Sequence, residues 1–206
     1  MEFKSKMADN RIGIMGGSFD PVHNAHIKLA QYAYKELNLE KVIFIPAYIQ
    51  PFKKDKKVTD EVHRLNMLKR ALMEYEMFEV SDIEIKMKGE SYTSRTLETL
   101  SKTYDNMVFI LGADSYETLD KWYHPELIFR YAAIACAHRD GSTPEHLNKL
   151  SEEYRNRYNG TTYFLHMPDT DISSTDIRAA IHAGEDVTDI IPQSVFDYIK
   201  ENNLYE

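Results

Sequence analysis

The sequence predicts an α/β protein built on a doubly wound parallel sheet with helices on both faces. Three observations predict it. Short apolar, β-branched runs recur along the chain, most of these runs lack polar alternation, and helical patterns lie between them. Runs without alternation indicate strands covered on both faces, and repeated strand–helix alternation indicates right-handed crossover units. The predicted architecture is therefore Rossmann-like, and ligands should bind at the carboxyl ends of the strands, where the strand order reverses.

Six runs of strand length and six helical patterns make up these units. The predicted strands are 11–15, 41–46, 78–86, 107–111, 132–137 and 162–165. The predicted helices are 27–37, a segment from Asp60 to about 75, 93–104, 144–158, 175–183 and 193–202. The helix from Asp60 has the clearest pattern, because apolar side chains recur there every three or four residues and Thr59 or Asp60 can cap its start.

Length and composition limit the class of protein. A chain of 206 residues fits a single domain, which we assign to 11–206, with 1–10 as a loose N-terminal extension. The net charge of −8 argues against nucleic acid or an anionic membrane surface as partner, but it does not exclude a small anionic ligand. Because Cys136 is the single cysteine and no apolar run is long enough to cross a membrane, we expect a cytoplasmic protein.

The most informative stretch is GIMGGSFDPVHNAH at 13–26. Gly16, Gly17 and Ser18 follow the first strand, and they allow a tight turn with the backbone close to a ligand. The spacing matches neither the dinucleotide fingerprint nor the Walker A loop.

Two histidines, His23 and His26, follow three residues apart at the start of a helix. Both rings then share one face near the helix N-terminus, which suits phosphate oxygens. A surface pair and a metal site are the alternatives. No Cys, Asp or Glu completes a metal set at familiar spacing, so we predict no protein metal site. Asp20 is interpreted as a turn residue before Pro21.

A second stretch, ISSTDIR at 172–178, places hydroxyl groups and an arginine where a helix begins. Ser173 can cap this helix, Ser174 and Thr175 follow it, and Arg178 projects from the first turn. The stretch is either a well-capped helix or a second anion site.

Two further stretches carry candidate ligand contacts. In 111–123, Asp114 follows a strand and either binds a ribose or caps a helix, while Trp122 either stacks on an aromatic ring or packs in the core. In 89–100, a loop leads into a helix with Thr93 near its start.

These four stretches, in this order, resemble the bacterial nicotinate-nucleotide adenylyltransferases of the nucleotidyltransferase superfamily. The superfamily pattern GG(T/S)FDPxHxGH is similar to 16–26, and ISSTxxR is similar to 172–178. Features of the narrower family occur at 63–71 (HRLNMLKRA), 91–93 (SYT), 112–115 (GADS), 122–123 (WY) and 191–205 (IPQSVFDYIKENNLY), so the resemblance spans about 11–205.

The resemblance implies a role for each matching residue. His23, His26, Lys53 and Arg178 would carry catalysis on the phosphates. The implied ATP contacts are Gly16, Gly17, Ser18, Phe19, Ser174 and Thr175. The implied contacts to the second substrate are backbone N–H groups of Thr93 and Tyr123 for the nicotinate carboxylate, Trp122 for the pyridine ring and Asp114 for a ribose. The positive charge would be local, where His23, His26, Lys53 and Arg178 converge with two helix N-termini.

Three positions depart from the family pattern. Ala25 replaces a glycine between the two histidines. Gln50-Pro51-Phe52-Lys53 replaces the Pro-Pro-His-Lys/Arg segment, so Lys53 must supply the charge there without a neighbouring histidine. His138 to Gly141 replaces an Arg-Pro-Gly turn.

The implied reaction joins ATP and nicotinate mononucleotide to give nicotinate adenine dinucleotide (deamido-NAD) and pyrophosphate, in NAD biosynthesis. Mg²⁺ would be carried on the ATP phosphates. The alternatives are a sister transferase acting on nicotinamide mononucleotide or phosphopantetheine, and a non-catalytic ATP-binding module. The sequence leaves the oligomeric state open, a homo-oligomer included.

Overall fold

One parallel sheet organises the computed structural model, which describes residues 10–50, 58–138, 145–168 and 172–206. Its strands are β1 (Ile12–Gly17), β2 (Lys41–Pro46), β3 (Phe78–Val80), β4 (Met107–Gly112), β5 (Ala132–His138) and β6 (Thr162–His166). They lie in the order β3-β2-β1-β4-β5-β6, and every neighbouring pair is parallel. The order reverses at β1 and β4, so the crevice for a ligand lies at their carboxyl ends.

Helices cover both faces of this sheet. They are α1 (Asn24–Glu36), α2 (Glu61–Leu72), α3 (Ile83–Met87), α4 (Thr93–Leu100), α5 (Ala113–Glu117), α6 (Pro125–Tyr131), α7 (Glu145–Tyr158), α8 (Ser174–His182) and α9 (Gln193–Glu201), with a 3₁₀ turn at Leu119–Lys121. In the described residues, none of these helices has both the length and the apolar character that crossing a bilayer requires.

Alternate residues of each strand enter two separate cores. Val42 and Phe44 pack on the side that carries α1, α2, α8 and α9, whereas Ile43 and Ile45 pack on the side of α4 to α7. All four side chains are at most 3% exposed. Burial on both faces explains why the strand runs are continuously apolar, and it confirms the predicted doubly wound architecture.

One predicted strand is wrong in its length. The run 78–86 is a strand only to Val80, and α3 follows from Ile83. Asp82 occupies the N-cap of α3, and its carboxylate pairs with Lys86 at 2.9 Å, one helical turn later. A short apolar run does not distinguish a strand from a buried helical turn, which is why periodicity extended the strand too far.

The other differences are smaller. The remaining strands and helices lie within a few residues of their predicted positions, and α5 and α6 were not predicted. Pro125 at the start of α6 was a signal for that helix. Of the predicted N-terminal extension, only Asn10 belongs to the described residues.

Candidate active site

Gly16 and Gly17 are the last two residues of β1 and pair with β2, so the tight turn predicted at the glycines lies later, at Phe19 to Pro21. A Cβ atom on Gly17 would lie 3.0 Å from the Phe19 ring, so a side chain at this position would displace that ring. Phe19 has a φ of 49° and is 1% exposed, and its ring meets the His26 ring edge-on at 5.0 Å. Phe19 thus supports a histidine from the core, while the glycine backbone stays uncovered toward solvent.

The two histidines begin α1 and stack on each other. His23 is the N-cap residue, and its ring centroid lies 3.7 Å from that of His26. The Nδ1 atom of His26 accepts a hydrogen bond from the backbone N–H of His23 at 3.3 Å. This contact assigns the proton of the neutral His26 ring to Nε2, so that the ring can donate from that atom.

His23 is the more buried of the pair, with 5% exposure. Burial lowers the pKa of His23 to about 4, so the ring is neutral at pH 7 and is not the cation that the sequence predicted. Its Nδ1 atom is buried and has no hydrogen-bond partner in the described part of the chain. His23 therefore contributes a neutral, oriented ring to the site and no positive charge.

The start of α8 is attached directly to the loop between β1 and α1. Ser173 caps the helix with its side-chain oxygen. Ser174 Oγ donates to the carbonyl oxygen of Pro21 at 3.0 Å, and Arg178 donates to that of Asp20 at 2.7 Å. The N-termini of α1 and α8 are thereby held together, and both contribute partial positive charge to the space between them.

A cleft of about 380 Å³ lies between these helix starts and the end of β4. His23, His26 and Ser174 line one side, and Asp114 lines the other. The N-cap of α5 is Gly112, so Asp114 does not cap that helix, and its side chain is exposed. A carboxylate beside phosphate-binding groups can accept hydrogen bonds from a ribose.

A second, smaller pocket of about 80 Å³ opens beside Gly16 and Gly17. Trp122 lines it half-buried, with its ring edge-on to Phe109 at 6.2 Å. The backbone N–H groups of Thr93 and Tyr123 have no hydrogen-bond partner within the described residues. The pocket therefore combines aromatic walls with main-chain donors, one of them at the N-terminus of α4.

A buried polar network that the sequence did not reveal holds the first turn from behind. Arg64, 2% exposed, donates to the carbonyl oxygens of Thr59 at 2.8 Å and Ser18 at 2.9 Å. The Asp20 carboxylate accepts from the Thr59 N–H at 3.2 Å and from the Tyr205 hydroxyl at 2.7 Å. Burial lowers the pKa of Arg64 and raises that of Tyr205. Asp20 is thus an anchor of the loop as well as a turn residue.

Glu84 has a similar role at the smaller pocket, which it also lines. It is 8% exposed, and its Oε1 atom accepts from Thr96 Oγ1 at 2.6 Å. The Ser91 side chain also hydrogen-bonds to this carboxylate, and Ser91 Oγ accepts from the Tyr48 N–H at 2.8 Å. Burial raises the pKa of Glu84. No sequence pattern indicated this role, because Glu84 lies in the predicted strand 78–86.

The predicted site residues fall into three groups. Those lining the larger cleft are His23, His26, Asp114 and Ser174, and those lining the smaller pocket are Gly16, Gly17, Thr93, Trp122 and Tyr123. Thr175 is exposed beside the cleft, and its Oγ1 atom lies 3.4 Å from a guanidinium nitrogen of Arg178. Phe19 and Ser18 contribute to the interior instead: the Phe19 ring is buried, and the Ser18 carbonyl oxygen accepts from Arg64. Lys53 and Phe52 lie outside the described residues.

No three His, Cys, Asp or Glu side chains of the described ranges cluster as a metal site.

Comparison with known proteins gives concordant results. Residues 14–180 match the cytidylyltransferase-like family model. The probable nicotinate-nucleotide adenylyltransferase of Clostridium botulinum (strain Eklund 17B / Type B) is 39% identical over 196 residues, which cover 95% of this chain and 98% of that protein. The protein of the same name from Desulfitobacterium hafniense is 40% identical over 198 residues, covering 95% of each chain.

Solved structures agree on the fold. Plasmodium falciparum nicotinic acid mononucleotide adenylyltransferase complexed with NaAD is similar with a TM-score of 0.75 at 22% identity, covering 95% of this chain and 97% of that one. Its complex with APC gives a TM-score of 0.73 at 21% identity, with the same coverage.

Proposed function

This chain belongs to the nicotinate-nucleotide adenylyltransferase family, and from that premise we propose how its site performs the reaction. The enzyme joins ATP and nicotinate mononucleotide to give nicotinate adenine dinucleotide and pyrophosphate, a step of NAD biosynthesis. One observation carries the assignment of residues. Two cavities of different chemistry, one between helix N-termini and one with aromatic walls, open at the carboxyl ends of β1 and β4.

ATP occupies the larger cleft in this proposal. Its triphosphate lies between the N-termini of α1 and α8, where His23, His26 and Ser174 can donate hydrogen bonds. Asp114, on the opposite wall, accepts from a ribose hydroxyl. Gly16 and Gly17 line the smaller pocket and not this cleft, so in this proposal their backbone lies beside the second substrate. The exposed Thr175 follows Ser174 in α8 and adds a hydroxyl beside the cleft.

Nicotinate mononucleotide places its pyridine ring in the smaller pocket. Trp122 stacks on the ring, and the N–H groups of Thr93 and Tyr123 bind the carboxylate. The positive end of α4 favours this negative group, and neither N–H has to give up another partner among the described residues.

The reaction is an adenylyl transfer. An oxygen of the mononucleotide 5′-phosphate attacks the α-phosphorus of ATP, a new P–O bond forms, and the bond from that phosphorus to pyrophosphate breaks. A phosphate monoester has a second pKa of about 6, so the nucleophile is already largely dianionic at neutral pH and needs no general base.

Catalysis then consists of positioning and of stabilising charge as pyrophosphate leaves. His26 donates to the α-phosphate, and His23 donates to the triphosphate as a neutral ring. Arg178, oriented by its bond to the Asp20 carbonyl oxygen, neutralises the leaving group together with Lys53.

Nucleotidyl transfer generally uses a divalent metal. We propose that Mg²⁺ enters with ATP as part of the substrate, held by phosphate oxygens and water, since it keeps several waters when it binds phosphates. We place the enzyme in the cytoplasm, where a buried cysteine such as Cys136 stays reduced.

A pyrophosphate-release assay tests the function. Purified protein is supplied with ATP, Mg²⁺ and one acceptor at a time: nicotinate mononucleotide, nicotinamide mononucleotide or phosphopantetheine. We expect the highest rate with the nicotinate acceptor. Release with phosphopantetheine alone would contradict the substrate, and binding of ATP without release for any acceptor would support the non-catalytic module instead.

A further inference from the structure

Gln50 is one of the residues that line the smaller pocket, and it carries a polar atom without a partner. Its Oε1 atom is buried and has no hydrogen-bond partner in the described part of the chain. A buried polar atom of this kind destabilises a protein unless something else binds it. Gln50 stands where the pattern of the resembling family has a proline, which has no side-chain hydrogen-bonding group.

The backbone around Gln50 is fixed against the loop that leads into α4. Ile49 forms a parallel bridge with Glu90, and its carbonyl oxygen accepts from the Ser91 N–H at 2.8 Å. Gln50 is the next residue along, and it lines the pocket together with Thr93. Because the pocket holds only about 80 Å³, a pyridine ring that enters it lies close to the Gln50 side chain, whose amide can turn toward the ring.

We propose that Gln50 is a specificity-determining residue that contacts the carboxyl-derived group of the pyridine and lets the enzyme also adenylylate nicotinamide mononucleotide. The proposal rests on the function proposed above and extends it to a second acceptor. The N–H groups of Thr93 and Tyr123 suit one oxygen of either a carboxylate or a carboxamide. A carboxamide also brings an NH₂ donor, which needs an acceptor, and Gln50 Oε1 is an acceptor without a partner.

A glutamine also adapts to the carboxylate. Rotation about its last side-chain torsion exchanges the oxygen and the nitrogen at little cost, so the same side chain can donate its NH₂ to an anion. The chemistry of the second reaction is unchanged. The 5′-phosphate oxygen attacks the α-phosphorus, the bond to pyrophosphate breaks, and the product is the amide dinucleotide instead of the acid.

The test compares kcat/KM for the acid and amide mononucleotides in the wild type, Gln50→Leu and Gln50→Glu. The wild type should release pyrophosphate with both. Gln50→Leu should lower kcat/KM for the amide about tenfold and for the acid about threefold, because only the amide loses the acceptor that its NH₂ requires. Gln50→Glu, which repels an anion, should lower the acid value at least tenfold, while the amide value changes less than about threefold.

Outcomes separate this proposal from the proposed function. Absence of release with both acceptors would contradict the function itself. Release with the acid, together with no amide reaction or with the same acid-to-amide ratio in all three proteins, would overturn only the role of Gln50. Gln193→Leu is the matched control, since Gln193 is exposed at the start of α9, and it should leave both rates unchanged.

Thermal unfolding without substrate adds an independent readout. Gln50→Leu replaces an unpartnered buried amide with an apolar side chain of similar size, so its Tm should equal or exceed that of the wild type. A Tm lowered by more than about 5 °C would show that the amide has a structural partner, and it would overturn the proposal.

Discussion

The two cavities beside β1 are built in different ways. The larger cleft is lined by side chains that start α1 and α8, which are His23, His26 and Ser174. The smaller pocket is assembled from several separate chain segments, and the donors assigned there to the substrate belong to the backbone. The proposed phosphate contacts are therefore residue types that a sequence displays. The proposed contacts to the second substrate combine backbone N–H groups with side chains from separate segments, and a sequence does not display how these come together.

The largest expected effect tests the side-chain character of the larger cleft. His26→Ala should lower kcat by at least about 10²-fold, the scale of losing one well-placed donor to a developing charge. Steady-state pyrophosphate release measures it, with the exposed His182→Ala as control. A variant with nearly wild-type kcat would show that the backbone of α1, and not the imidazole, stabilises the transition state.

The burial of His23 predicts a pH-dependent stability. The pKa of the ring is lowered from 6.5 to about 4 in the folded protein, so the unfolded chain binds more protons between these values. The stabilisation from the neutral ring is fully present above about pH 6.5 and is lost as the pH falls toward 4. Between about pH 7 and pH 5 the loss amounts to about 2 kcal/mol.

Urea unfolding of the wild type and of His23→Gln at both pH values measures this contribution. The free energy of unfolding of the wild type should fall by about 2 kcal/mol more than that of the variant, because the glutamine does not titrate. Equal changes in the two proteins would mean that the His23 ring is hydrated in the folded state and that its burial does not lower its pKa.

Much of the larger cleft could be predicted from the sequence, because glycines, histidines and hydroxyl residues that act together are neighbours in the chain. The loop anchors could not be predicted in this way. Arg64, Asp20 and Tyr205 meet only after folding, and the bond from Tyr205 to Asp20 joins residues 185 positions apart. The neutral state of His23 also depends on its burial, and the spacing of apolar residues does not predict the burial of a residue at a helix N-cap.

The fold was more predictable than the pocket for a related reason. Strand runs of parallel sheets are continuously apolar, so all six strands could be located, but the run ending at Val80 concealed the start of α3. The misplaced segment contains Glu84, the carboxylate that ties together the loop before α4. A local ambiguity between strand and helix thus hid part of the acceptor pocket.

Glu84→Ala tests whether this pocket depends on its buried anchor. The substitution removes the carboxylate that accepts from the Thr96 and Ser91 hydroxyls, so the loop that positions the Thr93 N–H loses its anchor. KM for nicotinate mononucleotide should rise about tenfold with a small change in KM for ATP, and the variant should unfold at a lower temperature.

Glu84→Gln keeps the shape and an acceptor oxygen and should restore most of the affinity for the acceptor substrate. Glu98→Ala, at an exposed position of the same helix, should have no effect on either KM. An equal rise in both KM values for Glu84→Ala would show that Glu84 supports both cavities. The two cavities would then not be built independently.

The smallest expected effect concerns Trp122, which is the single tryptophan of the chain and lines only the smaller pocket among the cavities described. Trp122→Phe keeps an aromatic ring with less stacking area, so KM for nicotinate mononucleotide should rise about threefold while kcat and KM for ATP stay constant. The wild-type fluorescence provides a direct check, since excitation selective for tryptophan over the 14 tyrosines reports on this single indole. Nicotinate mononucleotide should quench it with saturation, whereas ATP alone should leave it nearly unchanged. Equal quenching by ATP would place the nucleotide against Trp122, and the assignment of one substrate to each cavity would then be wrong.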